Sequence, residues 1–267
     1  MSTFASVEAE LVRWDASGLA PRFWLRDDDA VEPTPALERL IAFARRREVP
    51  VLLAVVPARA TKALAERLAD EPLVRPCQHG IAHENNAAPG TPSLELGGAR
   101  PVEDILAGLA EGRARLLDFF GDRLSGILVP PWNRMDPDVA ARLHELGFSG
   151  LSTWSWQRKG TQLPELNTQI DVMDWTGGHC GRDLAWTAGE LLRRLVQARQ
   201  KGGAPLGILT HHLVHDERAW ATLDELVAWL KVERGFAFES ADALIAAGAA
   251  MQETRPARAG CDCQAEW

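Results

Sequence analysis

The sequence lacks the features that mark several large functional classes. It has no basic stripe, and 29 Lys and Arg against 37 Asp and Glu give a formal net charge of -8. Phosphate backbones are bound by clustered cations, so no nucleic-acid partner is expected. No apolar run is long enough to span a bilayer, and no membrane partner is expected. The opening "MSTFASVEAELVRWDASG" has neither the charged start nor the continuous apolar core of a secretory signal. It reads as an amphipathic helix, and a cytoplasmic location is the expectation. Cysteine is sparse: Cys77, Cys180, Cys261 and Cys263 make no zinc-finger spacing and read as free thiols.

What is present is an alternation of short apolar runs with longer amphipathic ones. With 46% hydrophobic and 25% charged residues over 267 positions, the chain is long enough to bury a real core. The candidate strands are "RFWLR", "VPVLLAVVP", "PLVRPCQHG", "GILVPP", "GFSGLSTW", "QIDVMDW" and "PLGILTHH". Between most of them lie runs at helical spacing, such as "TPALERLIAFARRRE" and "PVEDILAGLAEGRARLLDFFG", several opened by Pro, Thr or Asp and closed by Gly. Seven strands without a linker predict an α/β fold, a barrel or barrel-like parallel sheet, in one catalytic domain over residues 1–252. Residues 84–100, rich in Pro, Gly and Ala, read as a long loop beside a site, and "ETRPARAGCDCQAEW", residues 253–267, reads as a loose tail.

The polar residues that do not suit a core collect at strand ends. Asp27, Asp28 and Asp29 follow the first strand, His79 and His83 the third, Trp132 and Asn133 the fourth, Asp171 and Asp174 a later one, and His211 and His212 the last. In a parallel barrel these ends share one rim, which carries the active site. Each has a bland alternative. Three acids after a strand usually cap a helix or line a solvated turn, and an H-x3-H pair is commonly a surface accident. The alternatives weaken because all of them must hold at once, on the same ends of successive strands. Two imidazoles and one carboxylate suit zinc or a similar divalent ion with positions open for water, and a second carboxylate beside them can act as a base.

These residues resemble the polysaccharide deacetylase superfamily, the NodB-homology proteins, as a divergent branch. The resemblance runs in motif order from Phe23 to Ala247. It implies a distorted (β/α) barrel of about seven strands. "RDDDA" stands for T-F-D-D-G, which makes Asp28 the base and Asp29 a metal ligand; a slip of one residue would give Asp27 and Asp28. "HGIAH" stands for H-S/T-x-x-H, adding His79 and His83 as ligands, with Gly80 in place of the hydroxyl residue. "VPPWN" stands for R-x-P-Y/W-G: Trp132 is kept, Val129 replaces the arginine that steadies the base, Asn133 replaces the glycine, and Arg26 or Arg134 is left to supply the cation. "DVMDW" stands for D-x-x-D-W, with Asp174 tuning the catalytic histidine and Trp175 lining the groove. "LTH" stands for L-x-H and selects His211 over His212 as the general acid.

The resemblance implies hydrolysis of an N-acyl group, most simply an acetyl group, from a carbohydrate or small amide, by water activated on a divalent ion, with zinc the expected metal. Trp132, Asn133 and Trp175 would bind the saccharide or small-molecule substrate. Two rivals stand beside it: a metal-independent hydrolase of ring amides (imides or ureides) on the same fold, and a non-catalytic carbohydrate-binding relative. The sequence has 10 Trp and no Tyr. Trp14, Trp220 and Trp229 sit at helical spacing and read as core, and His144, His179 and His215 have no motif role.

Overall fold

The computed structural model describes residues 3–253. In chain order the elements are α1 (Ala5–Ala16), β1 (Arg22–Ala30), α2 (Pro35–Arg47), β2 (Val51–Val55), α3 (Lys62–Leu68), β3 (Val74–His79), α4 (Val102–Phe120), β4 (Ile127–Val129), α5 (Pro137–Ala141), β5 (Gly150–Leu151), β6 (Thr168–Asp171), β7 (Met173–Asp174), β8 (Cys180–Gly181), α6 (Leu184–Gln200), β9 (Leu206–Thr210), α7 (Glu217–Val227), β10 (Ala237–Phe238) and α8 (Ala241–Glu253). All seven expected strands are present. "QIDVMDW" is divided, because the chain leaves the sheet after Asp171 and forms the small β7–β8 hairpin.

Seven parallel strands lie in the order β5-β4-β3-β2-β1-β9-β6, and β10 adds to the start of β1. The end strands β5 and β6 meet through isolated parallel bridges, Leu151 with Glu165 and Trp154 with Thr168. The strands therefore follow one another around an irregularly closed ring, the expected distorted (β/α) barrel. Local signals start its helices. Thr34 accepts the Leu37 N–H at 3.0 Å ahead of Pro35, and Asp183 accepts the Trp186 N–H at 2.7 Å.

Side chains alternate across the strands, and this sorts β1 into two faces. Phe23 and Leu25 pack outward with Leu37, Ile41, Leu195 and Leu223 of the helical layer. Trp24 points into the ring with Leu52, Ala54, Cys77, Ile127 and Val129. Ala241, Leu244 and Ile245 of α8 complete this inner cluster. That helix was not foreseen, because its "ADALIAAG" is apolar nearly all round and shows little amphipathic period. It is pinned at the strands' starting ends, where Asp242 accepts from Ser125 Oγ at 2.6 Å and Arg75 Nε at 3.2 Å. Fully burying a side chain such as Leu244 is worth roughly 1.5–3 kcal/mol.

The expected tail falls outside the described residues except for Glu253, which belongs to α8. Cys261 and Cys263 lie there too. Cys77 and Cys180 are free thiols. Among the described residues, no helix is long and apolar enough to cross a membrane.

Candidate active site

The three aspartates are part of β1 rather than of the loop behind it, and the pleat gives them different surroundings. Asp27 faces the helical layer. Its carboxylate accepts from Thr210 Oγ1 at 2.7 Å and the His212 N–H at 2.9 Å, and lies 2.5 Å from His212 Nδ1. Burial opposes its charge, but the His212 imidazole and these hydrogen bonds outweigh burial and hold the carboxyl below its ordinary range. Asp27 and His212 thus satisfy one another beneath the rim, and His212 does not line the groove.

Asp28 points into the ring, beside Arg26 two residues back on the same face. Arg26 Nε lies 2.9 Å from Oδ1, and Nη2 donates to Oδ2 at 3.0 Å. The guanidinium also donates to Asn133 Oδ1 at 2.7 Å, Ser152 Oγ at 2.8 Å and the Thr153 carbonyl at 3.2 Å. Arg26 is fully buried, so only this ring of acceptors makes its charge tolerable. Of the two candidate cations, Arg26 stands beside Asp28; Arg134 is exposed and donates to the Ser93 carbonyl. Val129 at the third motif has no charge to contribute, while Asn133 helps hold the cation that does.

Asp29 ends the alternation. Its φ of 76° lies in the left-handed region, which turns its carboxylate toward the third strand. His79 Nε2 is 3.1 Å and His83 Nε2 3.3 Å from Asp29 Oδ1. The other nitrogen of His79 lies 2.9 Å from the Val129 carbonyl, which fixes a proton on Nδ1 and aims Nε2 at Asp29. Burial disfavours the Asp29 charge, but the His79 hydrogen bond and the neighbouring imidazoles prevail and hold the group well below the carboxylate range. Among the described residues these three are the one set of His, Cys, Asp or Glu whose donor atoms lie within 4.8 Å of one another. Two imidazole nitrogens and an ionised carboxylate converging on one point fit a divalent ion.

His83 also has a positive φ, 60°, and its ring packs on Trp132 at 4.5 Å. Its loop is tied by Glu95, a residue that sequence reasoning passed over inside the long loop. The Glu95 carboxylate is buried and accepts the N–H groups of Ile81 at 2.9 Å, Ala82 at 2.7 Å and Glu84 at 3.1 Å. Gly80 makes this possible. A Cβ there would stand 2.1 Å from Glu95 Oε2, and its φ is +55°. The missing hydroxyl residue of the second motif and the buried glutamate are therefore one feature.

Across the groove, His211 packs edge-on against Trp175 at 4.7 Å, and its buried Nδ1 has no hydrogen-bond partner among the described residues. The expected pairing with Asp174 is not what the structure shows. Asp174 accepts from Thr176 Oγ1 at 3.0 Å, the Gly177 N–H at 2.9 Å and Arg182 Nη1 at 2.8 Å, an Asx-type turn that lowers its pKa mainly through the backbone. Asp171, like Asp29 across the groove, interacts electrostatically with His211. Burial raises its pKa against the pull of His211, the Met173 N–H and the Trp175 indole, whose Nε1 donates to it at 2.8 Å. β6 ends at Asp171 and the chain then leaves the ring, so Asp174, three residues on, belongs to the separate β7–β8 hairpin.

The groove above these residues encloses about 880 Å³, large for a single sugar unit. Asp28, Asp29, His79, His83, Trp132, Asn133, Trp175 and His211 all line it. So do Trp154, Trp186 and His179, which had been given no role.

No family profile matches the sequence, and neither does any curated protein. Solved structures do. A candidate polysaccharide deacetylase from Mycobacterium smegmatis superposes with a TM-score of 0.65 at 18% identity, over 88% of this chain and 92% of that one. The fold is that of the polysaccharide deacetylases. A Streptococcus mutans family 4 carbohydrate esterase matches with a TM-score of 0.58 at 15% identity, over 87% and 90% of the two chains. A family 4 acetyl xylan esterase from Clostridium thermocellum, solved with a cobalt ion, gives 0.53 at 17% identity over 85% and 91%. At these identities the polysaccharide deacetylase likeness concerns the fold, and it agrees with the order of the motifs in this chain.

Proposed function

We propose that this chain is a hydrolase dependent on a divalent ion, removing an N-acyl group, an acetyl group foremost, from an amino sugar or related small amide. The observation that carries the reading is the convergence of Asp29, His79 and His83 beside an Asp28 held by Arg26, with His211 facing them across one groove. Asp29, His79 and His83 hold the ion, and the donor set favours zinc. Bound there, the ion supplies Lewis acidity, making water a nucleophile near neutral pH and polarising the acyl carbonyl.

The remaining work falls to the chain's own side chains. Asp28 takes the proton of the attacking water, and Arg26 keeps its carboxylate aimed. The backbone of the Trp132 turn offers an N–H to the oxyanion, an interaction whose loss in comparable sites costs on the order of 2.7–4 kcal/mol. His211 donates a proton to the departing amine, with Asp171 beside it in the same groove. Trp132 and Trp175 flank the substrate. The complete donor trio supports this reading over a metal-independent ring-amide hydrolase, and the held base supports it over a purely binding protein.

Acetate release from N-acetylated oligosaccharides, measured with metal content on the same samples, tests the assignment. Asp29→Ala and His79→Ala should lose ion and activity together. Asp28→Asn and His211→Ala should keep the ion and lose about 10²–10⁴ in rate. Asp171→Asn should slow turnover more than Asp174→Asn. An ion-loaded Asp28→Asn protein as fast as the wild type would show that the base lies elsewhere.

A further inference from the structure

The groove carries a set of arginines that the deacetylation chemistry does not use. Arg134, Arg182, Arg193 and Arg194 all line it. Two carboxylates answer them. Asp174 pairs with Arg182 at 2.8 Å, and Glu190 is shared by Arg193 and Arg194. Among the described residues Arg134 has a carbonyl partner alone, so these four arginines outnumber their two paired carboxylates by two, in a chain whose net charge is -8.

The arginines are also positioned. Arg194 is held by Glu190 at 2.6 Å and by Ser155 Oγ at 3.2 Å, with only 15% of its side chain exposed. Arg182 lies over the Trp186 ring at 4.1 Å, and its Nε is buried without a hydrogen-bond partner among the described residues. Fixed guanidinium groups beside Trp154 and Trp186, in a space larger than one sugar unit, suit a ring whose far substituent is a planar or tetrahedral anion.

We infer that the substrate is an anionic amino sugar: its acetamide sits at Asp28 and Asp29, while a phosphate or carboxylate on the same molecule is bound by Arg182, Arg194 and Arg134. This rests on the deacetylase reading and narrows it. Neutral polymers would leave the excess charge unanswered.

The test compares kcat/KM for acetate release from N-acetylglucosamine, its 6-phosphate and N-acetylmuramic acid by the zinc-loaded protein at low and high salt. The charged sugars should exceed the neutral one by about ten- to hundredfold, through KM, and the gap should shrink with salt. Which charged sugar gains more separates phosphate from carboxylate. In R182Q/R194Q, and separately in R134Q on its exposed loop, the charged-to-neutral ratio should fall toward one. A wild-type ratio near one, or a ratio the substitutions leave intact, overturns the inference while the deacetylase reading stands. If neither these sugars nor N-acetylated oligosaccharides release acetate, the deacetylase reading fails, and calorimetry with glucosamine 6-phosphate against glucosamine still judges the anion site. Tighter binding of the phosphate that R182Q/R194Q removes supports it, and equal binding overturns it.

Discussion

On the side of the rim formed by β1, β3 and β4, each polar side chain is held from more than one direction. Arg26 reaches four residues, His79 is fixed by the Val129 carbonyl and Asp29, and Glu95 gathers three N–H groups under His83. On the side formed by β6 and β9 the hold is looser. His211 has a buried nitrogen without a partner among the described residues, and Trp175 beside it is 39% exposed. The difference follows from the work proposed for each side. A donor set for an ion gains from rigid convergence, and four residues there, Asp29, His83, Trp132 and Asn133, accept positive φ values that cost on the order of 1–3 kcal/mol each. A group that must meet a leaving amine gains a partner only when substrate arrives.

Breaking the rigid side should cost most. Arg26→Met removes the partner of a buried carboxylate, and about 3–5 kcal/mol of stability should go with it in denaturant unfolding. A loss under about 1 kcal/mol would mean that Asp28 is held by something else.

Gly80→Ser, which restores the hydroxyl residue of the deacetylase motif, should do harm here rather than good. Its Cβ would collide with Glu95 and with Pro131 Cδ, 2.5 Å away. Displacing the loop under His83 should weaken zinc binding about 10–100-fold in a chelator competition. Unchanged affinity would show that Glu95 supports the loop without positioning the ligand.

The smallest effect belongs to the looser side. His215 packs against Trp220 at 4.7 Å and accepts the His211 N–H at 3.2 Å, and burial pushes its pKa from 6.5 down to about 4. Below pH 6.5 the unfolded chain takes up this proton before the folded chain does. The stability His215 contributes is thus full above about 6.5 and is lost as pH falls toward 4, by at most about 1.4 kcal/mol per pH unit. The stability gap between wild type and His215→Asn should therefore narrow between about pH 7 and pH 5 in urea unfolding. A constant gap would mean that the fold leaves the His215 pKa unshifted.

The sequence by itself determined the seven strands, the rim that their ends share and the ordered set of Asp, His and Trp residues upon it. Periodicity and motif spacing are local, and local patterns survive translation into a chain of letters. It left open which way each of the three aspartates faces and which cation stands beside Asp28, and it paired His211 with Asp174, which the structure instead ties to Thr176, Gly177 and Arg182. Those were decided by the strand pleat, which sends Asp27 and Asp28 to opposite faces, and by contacts across the ring. Arg26 meets Ser152 at a separation of 126 residues and Asn133 at 107, and Glu95 returns to the loop of His83 from 11 to 14 residues away. No periodicity carries such pairings, because a buried charge selects whichever acceptors the closed barrel brings within about 3 Å of it.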